Sequence, residues 1–192
     1  MKGLTIILLV ILVTFQANAC EDPVIFLNEV LTEIKPALIN KNDALLEIAL
    51  IKYINFNEMA ECIAGKNIWN STNKECQKSF IYELKNLMLQ TYKRTVYYYM
   101  DDSIIFFKLK SSNQKLCYKK KIQITSVIKK NNKNVYITYR LVKSDNSWLV
   151  FDILIEGISI LKSLKTQYYD IIKNHGLKYT TEKIRILNNN DL

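Results

Sequence analysis

The chain reads as an α+β domain in which helices are followed by a run of antiparallel strands and then by helices again. Three observations predict this. Apolar residues recur at helical spacing from Val24 to Tyr92. After Asp101-Asp102 an alternation of period two takes over and lasts to Ile155. Within that stretch, polar breaks at Ser111-Ser112-Asn113, Lys130 to Lys133 and Ser144 to Ser147 mark off four strands. The expected architecture is N-terminal and C-terminal helices packed on a twisted antiparallel sheet.

The first residues stand apart from that fold. Lys2 gives a basic start, Leu4 to Phe15 is a short apolar run, and Ala17-Asn18-Ala19 places small residues where a signal peptidase requires them. Residues 1–19 are therefore expected to be a cleaved secretory signal peptide, because the run is too short for a permanent span. Residues 20–192 are expected to form one domain, with 188–192 as a frayed tail. Cys20 would become the first mature residue. A lipoprotein signal has Leu three places before its cysteine and here that place holds Ala17, so a soluble mature protein is expected.

Pro23 is suited to the first turn of a helix, and Val24, Leu27, Val30, Leu31 and Ile34 give that helix one apolar stripe up to Pro36. Asn42-Asp43 opens a second helix, with Leu45, Ile48 and Ala49 behind it. Asn57 is positioned to cap a third helix containing Met59, Ala60 and Ile63, ended by Gly65. Thr72 with Glu75 forms a capping-box pattern that opens the longest helix, running into Tyr97-Tyr98-Tyr99. The predicted strands are Ser103 to Lys110, Lys115 to Lys129, Asn134 to Lys143 and Trp148 to Ile155. Glu156-Gly157 then reverses the chain into a helix from Ile158 to about Asn174, stopped by Gly176, and a final helix to about Leu187.

The last hairpin is informative. A two-residue turn at Asp145-Asn146 would place Tyr139 opposite Asp152 and Ile137 opposite Leu154. One face would then carry Ile137, Tyr139, Leu141, Val150 and Leu154, and the other Tyr136, Val142, Leu149, Phe151, Ile153 and Ile155. Both faces are apolar, so both need a cover of helix, of another subunit or of a bound apolar ligand.

Composition narrows the chemistry. With 49% apolar residues the chain can bury a core, and 27 Lys and Arg against 18 Asp and Glu give a net charge of +9. The basic residues are dispersed apart from Lys119-Lys120-Lys121 and Lys129-Lys130, a distribution suited to a solvated face or to transient contact with an anionic membrane surface. Nucleic acid is a poor match for an exported chain. Four cysteines (Cys20, Cys62, Cys76 and Cys117) allow three disulfide pairings in an oxidising compartment; Cys62–Cys76 with Cys20–Cys117 is the arrangement expected. No C-x-x-C pair occurs and the one histidine, His175, is far from the cysteines, so no metal is expected. Asp152 and Glu156 could serve as general acid and base, but no positioned partner accompanies them, and no nucleophile elbow, phosphate loop or dinucleotide fingerprint is present. Asp152 reads more simply as a hydrogen-bonded structural anion and Glu156 as a charge before a helix start. Neither an enzyme nor a cofactor is expected.

The run Trp148-x-Val150-x-Asp152-x-x-x-Glu156-Gly157-x-Ser159, followed by Gln167-Tyr168 and His175-Gly176-Leu177, resembles the MlaC family of periplasmic phospholipid-binding proteins. A second patch agrees: Phe56, Met59-Ala60, Gly65 and Trp69, then Gln77, Phe80, Leu84 and Thr91-Tyr92. The likeness runs from about Asn40 to Leu187. It implies an apolar cavity enclosed between sheet and helices, with phospholipid as cargo. It also implies a soluble periplasmic monomer that docks on an outer-membrane lipoprotein complex and an inner-membrane ABC transporter complex, maintaining outer-membrane lipid asymmetry. The wall residues it suggests are Leu84, Leu87, Met88 and Tyr92 of the long helix, Tyr139, Phe151 and Ile153 of the sheet, and Ile158 and Leu161 beyond the glycine, with Ile158 foremost. The competing readings are a carrier of another apolar ligand (a hopanoid or lysolipid), a structural envelope protein and a small exported hydrolase.

Overall fold

Among the described residues, a four-stranded antiparallel sheet with its strands in sequence order lies between two layers of helix. The computed structural model describes residues 21–99, 120–130, 132–145 and 147–190. The elements are α1 (Pro23–Ile39), α2 (Asp43–Tyr53), α3 (Phe56–Ala64), α4 (Lys66–Ser71), α5 (Lys74–Tyr99), β1 (Lys121–Lys130), β2 (Lys133–Ser144), β3 (Ser147–Ile155), β4 (Ile158–Ser159) and α6 (Ile160–Asn190). Residues 1–19, expected to be a signal peptide, together with Cys20, Cys117, the strand expected over Ser103 to Lys110 and the start of the next, lie outside the described residues.

Except for α4, which follows Gly65, each helix begins on a side chain that replaces a missing backbone partner. Asp22 accepts from the Val24 amide at 2.8 Å, Asn42 from Leu45 at 3.0 Å and Asn73 from Cys76 at 2.8 Å. The expected caps shift by one or two residues. Asn55, not Asn57, caps α3 through the Glu58 amide at 2.9 Å. Thr72 does not cap α5, because its hydroxyl donates back to the Ile68 carbonyl at 2.8 Å and closes α4, a short helix absent from the sequence reading. Pro36 lies inside α1 rather than ending it, one turn before the Asn40 cap.

The β3 strand carries the largest departure. Between Arg140 and Leu141 the β2–β3 register slips by one, so Phe151 is the extra residue of a bulge. Arg140, not Tyr139, therefore faces Asp152, and Tyr139 pairs with Ile153 and Ile137 with Ile155. Because side chains alternate with period two, the bulge moves every later residue of β3 to the other face. Ile153 and Ile155 join Ile137, Tyr139 and Val150 on the α1–α2 side, while the opposite face takes Thr138, Arg140 and Asp152. The expected second apolar face thus loses Ile153 and Ile155 and gains Leu154, opposite Thr138, while Val142, Leu149 and Phe151 pack in the cluster with α3 and α6.

Glu156-Gly157 is a hairpin turn with both φ positive, +50° and +81°, the type that matches strand twist. It leads into β4, not directly into a helix, and α6 starts at Ile160, not Ile158. The Glu156 carboxylate accepts from the Tyr136 amide, and its own amide donates to the Tyr136 carbonyl at 2.9 Å, which fastens the turn to β2. Gly176, with φ +83°, bends α6 where the sequence placed a helix end. Beyond it Asn188 is 4% exposed and donates to the Glu83 carboxylate at 2.9 Å, so residues 188–190 extend α6 and are not a frayed end.

The expected Cys62–Cys76 bridge does not form, and both thiols are free. Cys62, on α3, lies 3.8 Å from Glu58 and near Lys121, whereas Cys76 lies in the first turn of α5 beside Lys178 and Arg185 of α6. The two side chains serve different interfaces.

Candidate lipid-binding site

The face of the sheet that meets α1 and α2 is built for apolar contact. From α1 come Leu27, Val30, Leu31 and Ile34, one stripe at helical spacing; α2 adds Leu46, Ala49 and Leu50. Opposite them stand Ile128, Ile137, Tyr139, Val150, Ile153 and Ile155. Between the two layers lies a cavity of ≈ 100 Å³. A second cavity of ≈ 230 Å³ adjoins it between α2 and α5, and Leu46, Leu50, Ile54, Val96 and Ile153 line both. Without the β3 bulge, Asp152 would point into this space in place of Ile153. The slip in register is what keeps the cavity apolar.

Tyr139 is the most buried of the three hydroxyl-bearing residues that line the first cavity among the described residues, with Tyr53 and Thr95 half-buried. Burial pushes its phenol up to about 12, against a small opposing pull from its hydrogen bond to Ser126. Tyr97 is likewise pushed up to about 12, first by burial and then by its bond to the Asp43 carboxylate. In each case the folded state holds the proton more tightly than the unfolded chain. The contribution of these two phenols to stability is thus level below about pH 10 and falls as pH rises from 10 towards 12, by roughly 2–3 kcal/mol for Tyr139 alone. Denaturant midpoints across that range should fall together with the appearance of tyrosinate absorbance, whereas a flat profile would contradict the burial of the Tyr139 phenol.

Asp152 is buried on the far face and fully engaged. Its Oδ2 accepts from Arg140 Nη1 at 3.0 Å and from the Ser159 hydroxyl at 2.7 Å, and its Oδ1 accepts from the Leu161 amide at 3.0 Å. Ser159 in turn accepts from the Lys162 amide at 2.9 Å. The Asp-x-x-x-Glu-Gly-x-Ser motif is thus a cap for α6, with Glu-Gly turning the chain so that Ser159 and Asp152 meet the helix N-terminus together. Asp152 and Glu156 diverge, one buried under α6 and the other on the edge of β2. Among the described residues no group of three or more His, Cys, Asp and Glu side chains could hold a metal ion.

The structure distributes the nine expected wall residues unevenly. Tyr139 and Ile153 line the first cavity, and Met88, Tyr92 and Ile153 the second. Leu84, Leu87, Phe151 and Leu161 line neither; they pack in the cluster between the other face of the sheet, α3, α5 and α6. Ile158 is a correction: it is 70% exposed, because the alternation of β4 turns Ser159 inward to Asp152 and Ile158 outward. The walls supplied by α1 and α2 went unnamed at the sequence level, although the stripe Leu27, Val30, Leu31 and Ile34 was the signal that could have found them.

Among the described residues no helix is long and apolar enough to cross a membrane. The MlaC protein family matches residues 27–185. No curated protein matches the chain. Among solved structures, the phospholipid-binding protein from Ralstonia solanacearum in complex with a phospholipid superposes with a TM-score of 0.69 and 22% identity, over 91% of this chain and 99% of that one. At that identity the likeness is one of fold, and it agrees with the α+β architecture described above. With the family match spanning most of its length, the chain belongs to the MlaC family.

Proposed function

We propose that this protein is a periplasmic phospholipid carrier, exported by cleavage after Ala19, that shuttles lipid between the outer and inner membranes and so maintains outer-membrane asymmetry. The observation that carries the reading is the apolar space between α1, α2 and the sheet, lined by Leu31, Leu46, Tyr139, Val150 and Ile153. Family membership and the phospholipid held by a protein of the same fold support it. A diacyl lipid has about thirty methylenes, so moving it unaided into water costs on the order of 20 kcal/mol or more. A carrier need only match the bilayer's apolarity, without binding so tightly that delivery fails. No bond is made or broken, and transfer energy comes from the inner-membrane ABC transporter complex on which the carrier docks, as it does on an outer-membrane lipoprotein complex.

The cavities at ≈ 100 and ≈ 230 Å³ fall below the roughly 300–1,000 Å³ of an occupied ligand pocket, so loading enlarges them. Apolar side chains line both the helix and the sheet sides of that space, and such contacts part without orphaning hydrogen bonds. Mass spectrometry of lipid extracted from protein purified without added lipid tests the reading. Two-chain phospholipid is expected in stoichiometric amount; a polycyclic extract, a single-chain lipid or an empty stable chain contradicts it.

A further inference from the structure

The mouth of the larger cavity is polar in a patterned way. Its floor is Leu50, Phe56, Ile153 and Ile160, but between α2 and α5 it carries Asp43, Glu47, Gln90 and Lys93. Lys93 Nζ lies 2.6 Å from Asp43 Oδ2, Tyr97 donates to Asp43 Oδ1 at 2.6 Å, and Lys85 Nζ lies 3.6 Å from Glu47 Oε1. Two carboxylates and one ammonium thus line the opening, on a chain whose net charge is +9, and Lys85 reaches Glu47 from outside that lining. Gln90 donates through Nε2 to the Asn188 carbonyl at 3.1 Å, yet its Oε1 is buried and meets no donor among the described residues. A buried acceptor without a donor is costly, and it marks a place for a donor from outside the chain.

We propose that this mouth reads the lipid headgroup as a zwitterion, with Lys93 taking the phosphate diester and Asp43, Glu47 and the Gln90 carboxamide oxygen taking a primary ammonium. The inference rests on the phospholipid reading above and adds a headgroup class to it. The Lys93 and Asp43 side chains are 41% and 57% exposed, so their pairing is weak and a phosphate replaces Asp43 on Lys93 at little cost. Asp43, so released, then pairs with the ammonium of the same headgroup. A headgroup of net negative charge brings no cation for the two carboxylates, and a quaternary ammonium has no N–H for Gln90.

The mature chain, incubated with vesicles holding equal amounts of ethanolamine-, glycerol- and choline-headgroup phospholipids with identical acyl chains, is re-isolated and its lipid quantified by mass spectrometry. Ethanolamine lipid is expected in about five- to tenfold excess over glycerol lipid, as one charge-assisted contact provides. The double substitution Asp43→Asn with Glu47→Gln is expected to bring that ratio close to one. Equal uptake of all three by a chain that loads normally overturns the headgroup assignment and leaves the carrier reading standing. A chain that takes up none of them overturns the carrier reading, and this assignment with it.

Discussion

Ile153→Glu is expected to reduce bound lipid by at least about tenfold, because a carboxylate among acyl chains costs several kcal/mol while about 1.4 kcal/mol already changes occupancy tenfold. Ile153 is the position to choose because it lines both cavities, having been carried to that face by the bulge at Phe151. A variant that fails to fold would also lose lipid, so a second substitution separates the two causes. Ala49→Phe, on the α2 side of the first cavity, adds apolar volume where lipid would lie and should exclude it from a chain that still folds. Ile158→Glu is the control. It places the same carboxylate on a side chain that is 70% exposed and should leave lipid content at the normal level. Normal lipid content in both Ile153→Glu and Ala49→Phe would show that these two cavities are not where the lipid is held.

Asp152→Ala should destabilise the fold by about 3 kcal/mol, a large fraction of the roughly 5–15 kcal/mol that holds a domain together. Three donors lose their acceptor at once: Arg140, Ser159 and the Leu161 amide. Arg140 is 39% exposed and regains water, which keeps the cost at the lower end of that for a broken buried pair. Ser159→Ala removes only the cap on the Lys162 amide and the hydroxyl's own bond to Asp152, and should cost about 1 kcal/mol. Urea denaturation of the two variants checks the order. If Asp152→Ala were as stable as the parent, Asp152 would not be the anchor of α6, and its burial would need a functional explanation.

Periodicity and capping chemistry made the α+β layout legible, and the positions of α1, α2, α5 and β2 follow the pattern to within a few residues. What the sequence concealed was register. A bulge has no local signature in Leu149-Val150-Phe151-Asp152, since an alternating strand fits the same residues, and its effect appears only when β2 is laid beside it. That single slip accounts for Tyr139 meeting Ile153 instead of Asp152, and for Ile153 and Ile155 lining the cavity. Ile158 was misplaced for a related reason: Glu156-Gly157 suits a helix start as well as a hairpin turn, and a two-residue strand is too short to show alternation. Asp152 as a structural anion was legible, because a lone carboxylate among apolar strand residues needs a partner; that the partners are Arg140 and Ser159 was not.

The claim at the centre is that acyl chains lie between the sheet and the α1–α2 layer. Diffraction from the protein loaded with a phospholipid brominated along one acyl chain tests it directly. The account predicts anomalous bromine peaks among Leu31, Leu46, Tyr139, Val150 and Ile153; peaks only on the outer surface, or only between α5 and α6, would contradict it.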